Sequence, residues 1–433
     1  MSHGRPTRLV AVLTLLALLG ACKTTLLPPI SSVGSEFEPF KDERRLWDRA
    51  RDEETKLRGN VALYPDPLLE DYLAEVIGRL IVPGMAANPE VNYRVAVIED
   101  PTLNAFAYPH GSLFVHTGLL ARLENEDQLA TVLGHEMAHV EGRHMLRHQR
   151  HARNQQIGLS VAAITAAVII AGEQGDAYRA GKYGKAARID ILSDIFVGLG
   201  LQLAFLAAVN GYGRDLERTA DQGAFDRMAA AGYDLDESPA VYRALMEEHG
   251  DSGKTEAFFF GSHPQLAARV ESAEQFLADS PDAGGSGSRA GDPERFARRI
   301  RPVIRDDARL NIEMGRLALA EEQLIRVLGM MPDDPESHLL MGRLRLAQAE
   351  NEKDLDRVQE LRAEAADAFR ESIRLDPDRP LPHRELGLLA YRAEDFGTAC
   401  VQFRQYVELD SRAEDAARIR DYVLELERED HCP

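Results

Sequence analysis

The sequence predicts an α+β domain, mostly helical with a small sheet, followed by an all-α solenoid of stacked helix pairs. Three observations predict it. Val91 to Ile98 alternates and is rich in Val, as a strand is, amid long stretches with helical spacing of apolar residues. Ser280 to Pro293 is rich in Gly, Ser and Pro and divides the chain. Beyond that division, positions recur at a spacing of 34 residues. A chain of 433 residues is long enough for two cores. The net charge of −20 argues against a nucleic-acid partner, because phosphate binding needs a basic face.

In order along the chain, Arg5 and Arg8 precede an apolar run from Leu9 to Leu19, the length of a signal segment and short for a bilayer span. Leu19-Gly20-Ala21-Cys22 follows and resembles the lipobox of bacterial lipoproteins. The resemblance implies cleavage before Cys22, acylation of that cysteine, and, with Lys23 next in line, the outer membrane over the inner. An ordinary secretory signal with a coincidental cysteine is the other reading. Residues 22–40, with Pro28, Pro29 and Pro39, are expected to be a tether. Cys400 and Cys432 are either a disulfide, in an oxidising compartment, or a buried thiol plus a terminal one.

The first domain is expected over 41–280. Trp47, Leu57, Leu69, Leu73, Val76, Ile77 and Leu80 supply the apolar positions of its opening helices. Pro109 and Gly111 punctuate a loop and second strand within Phe106 to Val115, and Gly118 to Leu123 begins a short helix. Asn125 or Asp127 caps the next helix, expected to run to about His151. The apolar stretches Ile157–Ala171 and Ile191–Val209 are expected to be buried or to touch a membrane surface rather than to span it. A further helix is expected from about Gly213 to Ala231.

The chemistry sits on the capped helix. His135 and His139 are four residues apart and so project from one helical face, where both imidazoles can reach a single Zn²⁺ at ~2.0–2.1 Å. Glu136 points beside that metal, which suits a base acting on water. A catalytic zinc needs a third protein ligand. A metzincin continuation fails because position 145 is Met, with His144 one residue out of register; a gluzincin continuation is met by Glu217, with Asp221 one turn on to support a ligating His. His144, His148 and His151 are expected to be solvated helix residues.

With Asn104-Ala105-Phe106-Ala107, Gly111, Gly118-Leu119-Leu120, the His-Glu-x-x-His segment, Glu217-x-x-x-Asp221, and Ser262-His263-Pro264 with Arg269, residues 60 to 275 resemble the peptidase family of HtpX and the CAAX prenyl protease. The resemblance implies a zincin-like metallopeptidase domain holding one zinc ion through His135, His139 and Glu217. It makes Glu136 the catalytic base, puts His263 near the site as oxyanion donor or resting ligand, pairs Arg269 with Asp221, and assigns Asn104 and Phe106 to substrate binding. An extended substrate is expected to add a strand beside Leu113 to Val115.

After a linker over 281–297, residues 298–433 resemble tetratricopeptide repeats. Phe369 and Phe403 are 34 apart, as are Pro377 and Ser411, while Gly342 and Gly387 are 45 apart, so an 11-residue insertion is expected at Asn351 to Leu361. Joined to the signal at residues 1–21, this architecture resembles the periplasmic BepA-type proteases. That implies an enzyme on the periplasmic face of the outer membrane, anchored there by lipid, whose partners are unfolded or misassembled envelope proteins and, through the repeats, outer-membrane assembly machinery. A chaperone or scaffold with a mostly latent metal site is the alternative.

Overall fold

The computed structural model describes residues 27–86, 88–154, 200–205, 212–251, 266–279 and 291–432. Cys22 and the signal run, His263, Ile157–Ala171, most of Ile191–Val209 and residues 280–290 lie outside the described residues. Among the described residues, no helix is long and apolar enough to cross a membrane.

Two helices open the domain, α1 (Lys41–Arg58) and α2 (Pro67–Leu80). Glu43 in the first turn of α1 reaches back to the Phe40 amide, while the Asp66 carboxylate accepts from the Leu68 and Leu69 amides with Pro67 at the first helical position, so both starts satisfy otherwise orphaned N–H groups. The sheet follows: β1 (Arg94–Ile98), β2 (Ala105–Ala107) and β3 (Ser112–His116). β3 lies in the middle, parallel to β1 with Val97 opposite Val115, and antiparallel to β2 with Phe106 opposite Phe114. A substrate strand was expected beside Leu113 to Val115. Both edges of β3 are already paired, so the edge strands of this sheet are β1 and β2.

Next come α3 (Thr117–Arg122), α4 (Glu126–Glu141) and α5 (His144–Asn154). The Asn125 side chain caps α4 by accepting from the Gln128 amide. Every residue from Glu126 to Val140 is buried, as befits a helix at the centre of a core. The single helix expected to run to His151 is broken: Gly142 ends α4, and Arg143 takes a left-handed backbone with φ +57°. Among the described residues, a single turn at Gln202–Phe205 and three longer helices follow: α6 (Arg214–Ala231), α7 (Ser238–Asp251) and α8 (Leu266–Asp279).

The segment read as a tether is packed down. Leu27, Ile30 and Phe37 join the domain core, and Ser31 donates to Glu141 at the end of α4. Its prolines set a path along the surface of the domain, and the apolar residues between them hold it there.

Helix pairs form the remainder: α9 (Pro293–Met314), α10 (Leu317–Met330), α11 (Pro335–Asn351), α12 (Leu355–Leu375), α13 (Pro380–Arg392), α14 (Phe396–Leu409) and α15 (Ala416–Arg428). Phe369 of α12 fills the space left by Gly342 of α11, and Phe403 of α14 the space left by Gly387 of α13. The two units thus repeat one contact. The residues that lengthen the first unit are taken up in α11 and α12, on either side of a short break at Glu352 to Asp354. Cys400 and Cys432 form a disulfide that ties the C-terminus to α14.

The expected boundary at residue 298 falls within α9, which starts at Pro293 behind an Asp292 cap. Phe296, Ile300, Val303 and Ile304 pack in the core of the first domain, while Ala308 packs with Ala320, Leu324, Leu340 and Leu344 of the first helix pairs. One helix therefore serves both cores.

Asp307 sits at that join, buried, accepting from Asn311, Gln323 and Thr117. Burial pushes its carboxyl up to about 6, against the pull of those hydrogen bonds. Because the folded chain holds this proton more tightly than the unfolded one, the stabilisation is whole below about pH 4 and is lost as pH rises through about 6, a change on the order of 2–3 kcal/mol. Asp307→Asn keeps an acceptor and removes the charge, so its melting temperature is expected to fall less than the wild type's between about pH 4 and about pH 7. Equal slopes in a pH series of thermal melts would count against this account.

Candidate metal centre

His135 and His139 project from one face of α4, and Glu217 faces them from the first turn of α6. The two helices approach closely at Gly223, where a Cβ would stand 2.9 Å from that of Ala138. This contact brings the carboxylate of Glu217 to the imidazoles. His135 Nε2 lies 2.9 Å from His139 Nε2 and 3.3 Å from Glu217 Oε2, and His139 Nε2 is 3.6 Å from Glu217 Oε1. Ligands at ~2.0–2.1 Å around a tetrahedral ion stand about 3.3 Å from one another. Two imidazole nitrogens and a carboxylate at this spacing fit a zinc ion, and these three are a group of the described residues able to hold a metal. Glu136 lies one residue from His135 and is buried with them.

The surroundings hold His135 in place. Its Nδ1 is 2.9 Å from Asp221 Oδ1. Asp221 in turn accepts from Arg269 Nε at 3.0 Å and from the Tyr242 hydroxyl at 2.9 Å. Burial pushes the Asp221 carboxyl up, yet the Arg269 guanidinium and the His135 hydrogen bond hold it well below the usual carboxylate range. Burial and the Arg269 charge push the His135 imidazole down, but the Asp221 and Glu217 carboxylates outweigh them and carry it up to about 9. The Glu217 and Asp221 carboxylates that raise it supply the negative charge a divalent cation needs.

On the other side, the Tyr212 ring packs 4.5 Å from that of His139, and the Tyr212 amide donates to Glu217 Oε1 at 3.4 Å. Burial and the charges of Glu136 and Glu217 raise the Tyr212 phenol well above its ordinary value. Neither Tyr212 nor Tyr242 was singled out from the sequence, since nothing local distinguishes them from core tyrosines. His144, expected in solvent, is 1% exposed and meets the site directly. Burial, together with the neighbouring His139 and Arg147, pushes its imidazole down to about 2.

Asn104 and Phe106 were expected to touch substrate. The structure places the Phe106 side chain in the core, stacked on Phe114 at 5.3 Å, so only its backbone lies at the sheet edge. Asn104, just before that edge, is wholly buried, and its side-chain oxygen and nitrogen have no hydrogen-bond partner among the described residues.

Residues 67–276 match Peptidase family M48. The mitochondrial metalloendopeptidase OMA1 of Schizosaccharomyces pombe is 27% identical over 257 residues, covering 57% of this chain and 67% of that protein. The putative beta-barrel assembly-enhancing protease of Vibrio cholerae is 28% identical over 225 residues, covering 52% of this chain and 42% of its own. The beta-barrel assembly-enhancing protease of Escherichia coli is 36% identical over 92 residues, 21% of this chain and 18% of its own. The chain thus spans about two thirds of the first relative and less than half of the other two. These relatives are of a different branch from HtpX and the CAAX prenyl protease, the names the motifs suggested. A thermophilic TPR protein of Thermus thermophilus superposes with a TM-score of 0.26 at 16% identity, covering 45% of this chain and 82% of its own, too weakly to bear on the fold.

Proposed function

We propose that this metallopeptidase is a zinc-dependent endopeptidase of the bacterial cell envelope, cleaving misfolded or unassembled envelope proteins. The observation that carries the reading is the convergence of His135, His139 and Glu217 with Glu136 beside them. One zinc per chain would be held by the first three. When bound, it supplies Lewis-acid chemistry, polarising a scissile carbonyl and acidifying water. Glu136 takes a proton from the attacking water and delivers it to the leaving amine. Asp221 and Arg269 keep the His135 ring aimed. His263 enters only as a proposed oxyanion donor. An extended substrate would pair with the outer edge of β2, through the backbone of Ala105 to Ala107.

The envelope reading rests on the N-terminal run ending in Leu19-Gly20-Ala21-Cys22, on a disulfide that suits an oxidising compartment, and on relatives named for β-barrel assembly. On this reading a lipid on Cys22 anchors the protein to the periplasmic face of the outer membrane. The helix pairs, read as tetratricopeptide repeats, hold substrates or dock onto assembly machinery.

The purified full chain, loaded with zinc, is expected to cut a urea-denatured outer-membrane β-barrel protein on dilution and to leave the same protein intact once folded in detergent. Chelation should abolish cleavage and added zinc should restore it. Cleavage that survives chelation sinks the metallopeptidase mechanism, and equal cutting of folded and unfolded forms sinks the choice of substrate. One observation favours the second reading, a scaffold with a latent site: His135 and Glu136 are 4% exposed, and His139 and Glu217 are 3% exposed. Full envelope function with Glu136→Gln in place would support it.

A further inference from the structure

A metal-ligating imidazole binds through one nitrogen, and its other N–H needs an acceptor that fixes tautomer and ring orientation. His135 meets the Asp221 carboxylate. His139 meets something else. Its Nδ1 lies 2.9 Å from Nδ1 of His144. Two facing ring nitrogens share one proton. With His139 Nε2 turned to His135 and Glu217, this assigns its proton to Nδ1, donated to His144 Nδ1, and leaves the proton of His144 on Nε2, which is buried with no hydrogen-bond partner among the described residues.

The chain between α4 and α5 is built to deliver this ring. An uninterrupted helix would rotate residue 144 away from residue 139, because five residues carry it ~140° past a full turn. Instead Gly142 closes α4 and Arg143 adopts φ +57°. The Arg143 side chain is held by α1 and the segment before it: Nε donates to Glu43 Oε1 at 2.8 Å, and the guanidinium lies over the rings of Phe37 and Phe40 at 5.2 and 5.0 Å. The reversal folds the His144 ring back against His139, 4.8 Å between centroids at 83°. A Cβ at 142 would stand 2.3 Å from His144 Nε2, so a larger residue there must displace the ring.

We propose that His144 is a positioning residue of the metal centre, a neutral acceptor that sets the tautomer and orientation of His139, and that the Gly142–Arg143 reversal exists to place it. A neutral acceptor adds no charge to a site already bordered by Glu217, Asp221 and Glu136, and it makes His139 a weaker electron donor than a carboxylate partner would. The bound metal then keeps more of its Lewis acidity.

The inference rests on the zinc-site reading, and zinc binding by the unaltered protein tests that first: if the wild type takes up no zinc, the earlier reading fails. With zinc bound, His144→Leu, which removes the acceptor, is expected to weaken zinc ~10–100-fold in competition with a chelator. It should also shift the visible bands of the Co(II)-substituted protein. His144→Asn puts an amide oxygen where Nδ1 stood and is expected to restore both to near wild type. Gly142→Ala, which leaves His144 in the chain but displaces its ring, should weaken zinc in the same direction. The proposal is overturned if Gly142→Ala or His144→Leu binds zinc as tightly as the wild type. It is equally overturned if His144→Asn loses as much affinity as His144→Leu.

Discussion

Glu136→Gln lowers turnover of an unfolded polypeptide by ~10²–10⁴-fold, the contribution of a positioned general base. Zinc content and melting temperature stay at wild-type values. Glutamine matches glutamate in shape, and the ligands His135, His139 and Glu217 are separate side chains, so the substitution removes only the capacity to take and return a proton. Steady-state kinetics beside metal analysis of the same preparation make the check. Turnover that survives with zinc in place would falsify the role given to Glu136.

Asp221→Ala has the second large effect, and it acts on stability as well as on metal. Asp221 is buried beneath His135 and neutralises Arg269, itself 6% exposed, so truncation strands a buried guanidinium and costs ~3–5 kcal/mol. It also deprives His135 and the Tyr242 hydroxyl of their acceptor. Asp221→Asn keeps an acceptor for His135 while removing the charge, and is expected to fold and to hold zinc ~10–100-fold less tightly. Thermal melts and chelator competition separate the two effects. If both variants bind zinc like the wild type, Asp221 supports the fold alone.

What was legible in the sequence was what local spacing determines. The four-residue interval of His135 and His139 fixes a shared face, and Asn125 announces the helix that carries them. Glu217 could be picked out only as part of a pattern with Asp221, because the contact that brings it to the histidines is made at Gly223, between distant segments. The break at Gly142 and Arg143 is hidden from local spacing for the same reason. Residues on both sides favour helix, and the partner that holds Arg143 in its left-handed conformation is Glu43, a hundred residues earlier. Without that break His144 reads as a surface residue. The N-terminal prolines misled because composition reports how a segment bends and not whether Leu27, Ile30 and Phe37 find a core. A boundary at residue 298 falls late although Asp292-Pro293 is a helix start, since a run of Gly and Ser just before it dominates the local composition.

Helix α9 runs on through Pro302 and joins the two halves of the chain, with Ile300 in one core and Ala308 in the other. A flexible connector would let the repeat array sweep a volume around the peptidase and merely raise the local concentration of whatever it carries. A shared helix removes that freedom and turns the array into a ruler. On the proposed reading, in which the helix pairs hold substrate, a polypeptide gripped at one place on them would meet Glu136 after a set length of slack chain. The cut would then be counted from the point of grip, and the residues flanking the scissile bond would matter less than their distance from it.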